Sequence, residues 1–392
     1  MEGGLKQAMK RPRIMVLTLS FGSGHVRAAK TIAGELLRQA PKAEVCVVDA
    51  LATSRFLFYA GYVWTYWAML RHAPALWDRL FSRRLKREHR RTAPEWAFQY
   101  GCPDVFRAIP DFEPDTIVAT EVAACEIAAI AKRRGLTKAR IVNVITDYEA
   151  EPAWVQPEVD TYAVGDTYVA DQLTAWGAPL DRIHVCGIPT APSFLVPQDK
   201  HSIRAEHKLN DTAPVVLIMG GGMGPTHMDQ VATAILESAQ PIQIVAITGH
   251  DKRTRRRLNR LQSSPPTSLR VLGWTDDVPA LMQLASVLIT KPGGLTTSEA
   301  AASGLPLVMF DAIPGPEGRN AQRIAEAGAG ILKHSAHQAA RTAVQLLHNE
   351  EARLRMSASA KKLAHPDAAT TIALLALNES MPMPRLARSM TA

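Results

Sequence analysis

The chain has 392 residues, of which 47% are hydrophobic, and it carries a formal net charge of +8. This length exceeds what a single hydrophobic core usually organises, so two domains are expected. The four cysteines (Cys46, Cys102, Cys125 and Cys186) are scattered and form no CxxC pair. This pattern argues against a disulfide scaffold or thiolate metal site and fits a reducing cytoplasm.

Strand-like runs alternate with helical patterns in the first half of the chain. Strands are predicted at residues 13–19, 44–50, 115–120, 139–147 and 161–166. The stretch after the first strand is predicted to be a helix because its apolar residues recur at helical spacing. Continuous strands rich in Val and Ile, alternating with helices, predict a parallel sheet covered on both faces.

The same pattern restarts after a polar, proline-rich stretch at residues 184–200. Strands are predicted at 214–224, 242–249, 269–274, 286–290 and 305–310. The prediction is therefore an α/β protein with two doubly wound, Rossmann-like domains, 1–195 and 196–392. The last roughly 25 residues are expected to pack back on the first domain. A ligand should lie in the interdomain cleft, at the carboxyl ends of strands.

The first loop, LSFGSGHVRAAK (19–30), is open to three interpretations. Gly22, Gly24 and Asp49 match part of a dinucleotide fingerprint, but Arg27 occupies the place of the third glycine. His25 stands at a strand-to-helix turn, and an imidazole with a pKa of about 6.5 can take a proton near neutral pH. A tight corner alone also explains both glycines.

Two loops of the second domain indicate more strongly that the protein binds a phosphate-containing ligand. MGGGMGPTH (219–227) has four glycines in five positions, which lets backbone N–H groups approach a phosphate at a helix N-terminus. In TKPGGLTTSEAAASGLPLVMF (290–310), Glu299 in the first turn of a helix can accept hydrogen bonds from a ribose diol. The helix dipole is the simpler explanation of that glutamate. Glu317, Arg319 and Asn320 follow, in a polar loop suited to sugar hydroxyls.

Seven sequence blocks point to a known family. They are SFGSGHVRAA, VITDYEAEPAWVQPEVDTYAV, VCGIPTAPSF, MGGGMG, VLGWTDDVPALM, KPGGLTTSEAAASGLP and IPGPEGRNA. In this order, from about residue 13 to 330, the chain resembles the MGDG synthase and processive diacylglycerol glycosyltransferase family. That family belongs to glycosyltransferase family 28 and has the GT-B fold. The chain is more distantly similar to lipid II-forming N-acetylglucosaminyltransferases.

The resemblance implies a UDP-sugar donor held by the second domain and an acceptor held by the first. It makes His25 the general base and Asp147 an acidic residue on the acceptor side. The implied donor-binding residues are Gly24, Gly221, Gly222, Met223, Thr275, Gly294, Leu295, Thr296, Glu299, Glu317 and Asn320. Thr275 would clamp the uracil and Glu299 the ribose. Two positions depart from the family pattern, Ala191 where an Arg is usual and Pro316 where a Gln is usual.

The implied reaction is inverting transfer of glucose or galactose from UDP to diacylglycerol, giving a β-glycoside. A preorganised set of N–H dipoles stabilises the leaving nucleotide, so no cofactor and no obligatory metal ion are expected. Three alternatives remain: a UDP-sugar transferase, for instance of UDP-GlcNAc, acting on another lipid or polar acceptor; a nicotinamide-dependent oxidoreductase; and a nucleic-acid-binding protein. We expect no nucleic-acid partner, because nucleic-acid binding leaves the glycine loops without a role.

The segment 56–91 combines aromatic residues with a basic run. The uncharged part, 56–70, is shorter than the roughly 20 residues of a membrane-spanning helix. Aromatic anchors beside lysine and arginine are typical of proteins that lie on an anionic membrane. The candidate residues for contact with the membrane or the acceptor are Trp64, Trp67, Trp77, Arg83, Arg84, Lys86 and Arg87. We therefore expect a cytoplasmic protein on the inner face of the cell membrane. The simpler alternative is a packed core with a solvated basic face.

Overall fold

The computed structural model describes residues 11–86, 91–221, 226–313 and 315–378. Within these residues, two parallel six-stranded sheets form separate layers. The first sheet contains β1 (Arg13–Thr18), β2 (Glu44–Asp49), β3 (Thr116–Ala119), β4 (Arg140–Val144), β5 (Thr161–Val164) and β6 (Ile183–Val185). The second contains β7 (Val215–Met219), β8 (Gln243–Ile247), β9 (Ser268–Leu272), β10 (Val287–Thr290), β11 (Leu307–Met309) and β12 (Gly330–Leu332). The predicted α/β class and GT-B architecture are confirmed.

Helices flank both sheets. Those in the first half are α1 (Ser23–Gln39), α2 (Phe56–Tyr59), α3 (Thr65–His72), α4 (Pro74–Lys86), α5 (Glu95–Gly101), α6 (Pro103–Phe112), α7 (Val122–Arg133) and α8 (Thr167–Ala175). Those in the second half are α9 (Lys200–Glu206), α10 (Met228–Leu236), α11 (Lys252–Leu258), α12 (Val278–Leu284), α13 (Gly294–Ala302), α14 (Pro316–Glu326), α15 (Ala336–Leu347), α16 (Glu350–Leu363) and α17 (Ala368–Leu377). A π-helical stretch, Ala60–Trp64, joins α2 to α3.

In each sheet, the direction in which successive strands are added reverses inside the sheet. The first sheet runs β2-β1-β3-β4-β5-β6, and the second runs β12-β11-β10-β7-β8-β9. The order reverses between β1 and β3 in the first sheet and between β7 and β10 in the second. Ligands of open parallel sheets bind outside the carboxyl ends of the strands at such a switch point.

Apolar residues bury both faces of each sheet. Met15 and Leu17 of β1 pack against one helical layer, whereas Ile14 and Val16 pack against the other. The alternation follows from the two-residue period of a strand, and the continuous apolar run follows from burial on both sides. Strands β6 and β12, with three residues each, lie at sheet edges and were not among the predicted strands.

Helix α17 crosses from the second half of the chain to the first sheet. Its Ile372, Ala373 and Ala376 are buried with Ile14 of β1. The hydroxyl of Thr370 donates to the Glu35 carboxylate on α1 at 2.8 Å. The C-terminal helix therefore ties the two halves of the chain together.

The aromatic segment is helical from Phe56 to His72, with a π-helical turn at Ala60–Trp64, and a second helix, α4, follows after Ala73. In the part of the chain that the structure describes, no helix combines the length and the apolar character needed to cross a bilayer. Phe58 and Val63 are buried in the first domain's core, which attaches the segment to the sheet.

Candidate functional site

A cavity of about 430 Å³ lies between the two domains. The first domain lines it with the loops that follow β1, β3 and β4. The second domain lines it with the residues that follow β7 and β10. These loops flank the two switch points, so the topology itself brings the predicted site residues together.

His25 lies in the first turn of α1 and lines this cavity. Its Nδ1 atom is 3.1 Å from the carbonyl oxygen of Thr120 and 3.0 Å from the hydroxyl of Thr146. A carbonyl oxygen can only accept, so we assign the imidazole proton to Nδ1. The Nε2 atom then carries the lone pair, which is the form that a general base requires.

Asp147 follows β4 and also lines the cavity. Its Oδ1 atom accepts a hydrogen bond from the amide of Asn320 in the second domain at 2.9 Å. The Asn320 carbonyl oxygen accepts from the backbone N–H of Tyr148, also at 2.9 Å. Asn320 is fully buried in this contact. The structure therefore places it at a contact between the domains, away from the cavity wall where the resemblance placed a sugar ligand.

The second domain brings the predicted phosphate-binding residues to the opposite wall. Gly221, Gly294, Leu295 and Thr296 line the cavity with Glu317. Leu295 reaches the first domain, because a side chain at Gly24 would contact its Cβ at 3.7 Å. Gly222 and Met223 lie outside the described residues.

Lys291 is the main cationic residue that the sequence prediction missed on this wall. It follows β10, is buried, and lines the cavity. A side chain at Gly221 would lie 3.5 Å from its Cε atom. Burial raises the pKa of the Glu317 carboxyl, and the nearby Lys291 opposes this shift. A charged residue directly between a buried strand and a Pro-Gly-Gly turn is the signal in the sequence that indicates this position.

Two predicted donor ligands lie off the cavity wall. Thr275 follows the edge strand β9, and its hydroxyl donates to Asp277 at 2.9 Å. Glu299 is the sixth residue of α13, so it lies beyond the first turn where the sequence analysis placed it. Its side chain is 2% exposed and forms an ion pair with Arg27 of α1 at 2.7 Å. Arg319 lies with its guanidinium 3.9 Å from the centroid of the Tyr168 ring and lines a separate cavity beside α14.

Acidic groups gather at the first-domain end of the cavity. Burial raises the pKa of Glu121, Glu149 and Glu151 above the usual range. Glu121 caps α7 by accepting from the N–H of Ala123 at 2.7 Å. Arg84 pairs with Glu151 at 2.8 Å, so this basic residue faces the cavity.

The candidate membrane residues fall into two groups. Trp67 and Trp77 line the cavity together with Arg84, so these three side chains point inward. Trp64, Arg83 and Lys86 are exposed. Arg87 lies outside the described residues. The set predicted for membrane or acceptor contact is therefore divided, because segment 56–86 presents one face to the cavity and another to solvent.

The dinucleotide interpretation of the first loop fails on its acidic residue. The Asp49 carboxylate accepts from the backbone N–H groups of Ser20 and Leu51, both at 3.0 Å. Asp49 thus stabilises the turns after β1 and β2, and Arg27 is engaged by Glu299. Within the described ranges, no group of three or more His, Cys, Asp or Glu side chains has metal-binding geometry.

Comparisons with solved structures identify the fold. Acinetobacter baumannii MurG is 14% identical, with a TM-score of 0.59 over 94% of this chain and 100% of that one. Staphylococcus aureus MnaA, solved with UDP, is 13% identical, with a TM-score of 0.63 over 95% and 99%. Anabaena HepE, solved with UDP-glucose, is 14% identical, with a TM-score of 0.56 over 93% and 98%. The chain thus has the GT-B fold.

Sequence comparisons show which proteins the chain is similar to. Residues 25–190 match the family described as Monogalactosyldiacylglycerol (MGDG) synthase, and residues 199–363 match Glycosyl transferases group 1. Processive diacylglycerol beta-glucosyltransferases of Bacillus cereus strains are 27% identical over 98% of this chain and 100% of their own length. These matches bear out the resemblance to the diacylglycerol glycosyltransferases and the expectation of a hexosyltransferase.

Proposed function

We propose that the protein transfers glucose or galactose from a UDP-sugar to the hydroxyl of diacylglycerol, with inversion at the anomeric carbon. The names of the similar Bacillus enzymes support the acceptor and the sugar class. The observation that carries the proposal is the hydrogen bond from His25 Nδ1 to the Thr120 carbonyl, which leaves Nε2 basic in the cleft.

The reaction is a single displacement. Nε2 of His25 takes the proton of the acceptor hydroxyl while that oxygen attacks the anomeric carbon from the face opposite the nucleotide. The bond between the anomeric carbon and the phosphate oxygen breaks, and UDP leaves with the bonding electron pair. The imidazolium then releases its proton to solvent. One displacement converts an α-linked donor into a β-glycoside.

The second domain would stabilise the charge on the leaving UDP. The first N–H groups of α13 have no carbonyl partner within the helix and point at the cavity side, where the helix dipole is positive. Lys291 adds a buried cation beside Gly221. We propose that these groups replace a divalent metal ion in this enzyme.

The acceptor would enter along the aromatic wall of the cavity. Tyr66 contacts both Phe21 and Trp77, with ring centroids 4.5 and 4.8 Å apart. Such rings offer apolar area for the glycerol backbone and the first carbons of the acyl chains. We further propose peripheral attachment to an anionic membrane through the exposed Trp64, Arg83 and Lys86.

The first test is transfer of radiolabel from a panel of UDP-sugars into extracted diacylglycerol lipids. We expect wild-type enzyme to label the lipid with and without EDTA, and His25→Ala to lose activity by about 10²–10⁴-fold. Lys30→Gln, at an exposed position of α1, serves as the control variant. Wild-type turnover in His25→Ala would exclude the base, and complete loss with EDTA would contradict metal-free catalysis.

A further inference from the structure

We propose that Arg27 is a positioning residue that holds the Glu299 carboxylate for the donor ribose and links donor binding to the helix that carries His25. This inference rests on the proposed function, because it assigns the buried carboxylate to the ribose of UDP. It concerns the one residue of the first loop that breaks the dinucleotide fingerprint.

The ion pair crosses the interdomain boundary. Arg27 on α1 places a guanidinium nitrogen 2.7 Å from Oε1 of Glu299 on α13. The second carboxylate oxygen, Oε2, is buried and has no hydrogen-bond partner among the described residues. A buried acceptor without a partner is costly, so a hydroxyl that donates to Oε2 gains binding energy. Glu299 lies behind the cavity wall, but its partner Arg27 lines the cavity, so a ribose diol bound beside Arg27 would supply such hydroxyls.

Besides Glu299, Arg27 also contacts the segment between the domains. Its guanidinium carbon lies 5.8 Å from the centroid of the Phe194 ring, in the segment that joins the two domains. It stands two residues after His25 in the first turns of α1. A ligand that engages Glu299 therefore acts on the segment between the domains and on the helix of the general base.

Electrostatics shows why Glu299 needs this partner. Helix α13 packs against α1, α14 and α16. From α1, Arg27 faces Glu299; from α16, Lys361 lies at the opposite end of α13, beside Gly304. On α14, Glu317 faces the cavity. Burial raises the pKa of Glu299 to about 7, and Arg27 acts against that rise.

The direction of the pH effect follows from this balance. Loss of the Arg27 charge raises the pKa of Glu299 further, so the carboxyl is protonated at neutral pH. A protonated carboxyl has lost one acceptor position and cannot accept freely from both ribose hydroxyls. Nucleotide binding should therefore strengthen as pH rises through the pKa of Glu299, and this rise should lie at higher pH without Arg27.

The experiment measures the dissociation constant of UDP by calorimetry from about pH 5.5 to 9, for wild type, Arg27→Gln and Arg27→Lys. We expect Arg27→Gln to weaken UDP binding about tenfold at pH 7 and to regain affinity at high pH, since one pKa unit corresponds to a factor of ten. Arg27→Lys keeps the charge and should restore most of the wild-type profile. The titration of UDP itself is common to all the proteins.

Arg323→Gln is the matched control. Arg323 forms another ion pair between the domains, with Asp166 at 3.0 Å, and lies away from Glu299. A general loss of domain contact would affect both variants equally, whereas the proposal requires the pH shift in Arg27→Gln alone. Arg27→Gln should also add no further loss to Glu299→Gln, because the two residues act as a unit.

A pH profile of Arg27→Gln parallel to wild type, or the same shift in Arg323→Gln, would refute the inference. Failure of wild type to bind UDP at any pH would instead refute the proposed function. Thermal unfolding of each variant shows whether it is folded. If Arg27→Gln does not fold, the comparison of Arg27→Lys and Glu299→Gln with wild type decides the question, and a wild-type profile for Glu299→Gln overturns the proposal.

Discussion

At the scale of single residues, the charge of Lys291 gives a prediction for the reaction in the cleft. The departing UDP gains negative charge, and a buried cation interacts with it more strongly than an exposed one does, because solvent screens less. Lys291 is buried beside the glycine backbone of the second domain and close enough to Glu317 to affect its pKa. Under the proposed function, it would therefore stabilise the charge on the leaving nucleotide.

We expect Lys291→Met to lower kcat by about 10²-fold, the usual effect of removing one donor from a transition-state site. Addition of Mg²⁺ should restore little, because the described residues provide no cluster of metal ligands there. The measurement is steady-state transfer with saturating donor. Lys333→Met, in the separate cavity beside α14, is the control and should keep wild-type kcat. Equal rates for both variants would remove Lys291 from the mechanism.

Single residues were predictable where their role depends on local sequence. His25 follows a strand and starts a helix, so its place at a cleft could be inferred. The hydrogen-bond partners of His25 could not be inferred, because Thr120 and Thr146 are 95 and 121 residues away in the sequence. They lie beside His25 only because of the order of the strands in the sheet. The same reason hid the Arg27–Glu299 pair, in which residues from two domains neutralise each other.

At the scale of elements, the start of α13 makes a close contact between the domains. A Cβ atom at Gly294 would collide with the carbonyl oxygen of Thr146 and lie 2.8 Å from Oδ1 of Asp147. Both neighbours follow β4, so the collision involves backbone that cannot move aside. Glycine is required here by this close approach.

We expect Gly294→Ala to hold the domains apart and lower kcat by at least about tenfold, because a small misplacement of reacting groups is costly. UDP affinity should change less, since most donor contacts belong to the second domain. Transfer kinetics and UDP calorimetry measure the two effects separately. Gly34→Ala in α1 has open space around the new methyl group and should retain wild-type kinetics. Unchanged turnover in Gly294→Ala would show that the contact has no catalytic role.

The elements that escaped prediction are short and lie at edges. β6 and β12 have three residues each, which is too short for a hydrophobic period to be recognised. The aromatic residues and the basic run of segment 56–91 could be recognised from the sequence, but the π-helical turn at Ala60–Trp64 and the break at Ala73 could not. As a result, its inward and outward faces could not be separated from the sequence.

At the scale of the whole molecule, the cleft exists because two switch points face each other. The alternation of strands and helices predicts two parallel sheets, but it does not specify which strands are neighbours. The order β2-β1-β3 places the His25 loop beside Thr120, and the order β10-β7 places Lys291 beside Gly221. The packing of the complete domain determines which strands are neighbours, and local sequence patterns do not reveal that packing.

Segment 56–86 has one face exposed to solvent and one face toward the cavity. Membrane attachment and acceptor binding can therefore be tested separately. Phe56, Leu57 and Trp64 are exposed by 65%, 68% and 54%, whereas Trp77 lines the cavity. Exposed aromatic and aliphatic side chains insert at a lipid–water interface, and basic residues add roughly 1 kcal/mol each near an anionic surface. Arg83 and Lys86 lie exposed on the same segment.

We expect a Phe56→Ser/Trp64→Ser variant, and separately an Arg83→Gln/Lys86→Gln variant, to lose flotation with anionic liposomes. Both should still transfer sugar to a short-chain diacylglycerol in detergent micelles, because the cavity is intact. Trp77→Ala should behave in the opposite way, with wild-type flotation and reduced transfer. High salt should release the wild type in part, since the basic residues are screened while the aromatic ones are not. Equal flotation of all four proteins would mean that the membrane is contacted through another surface, or not at all.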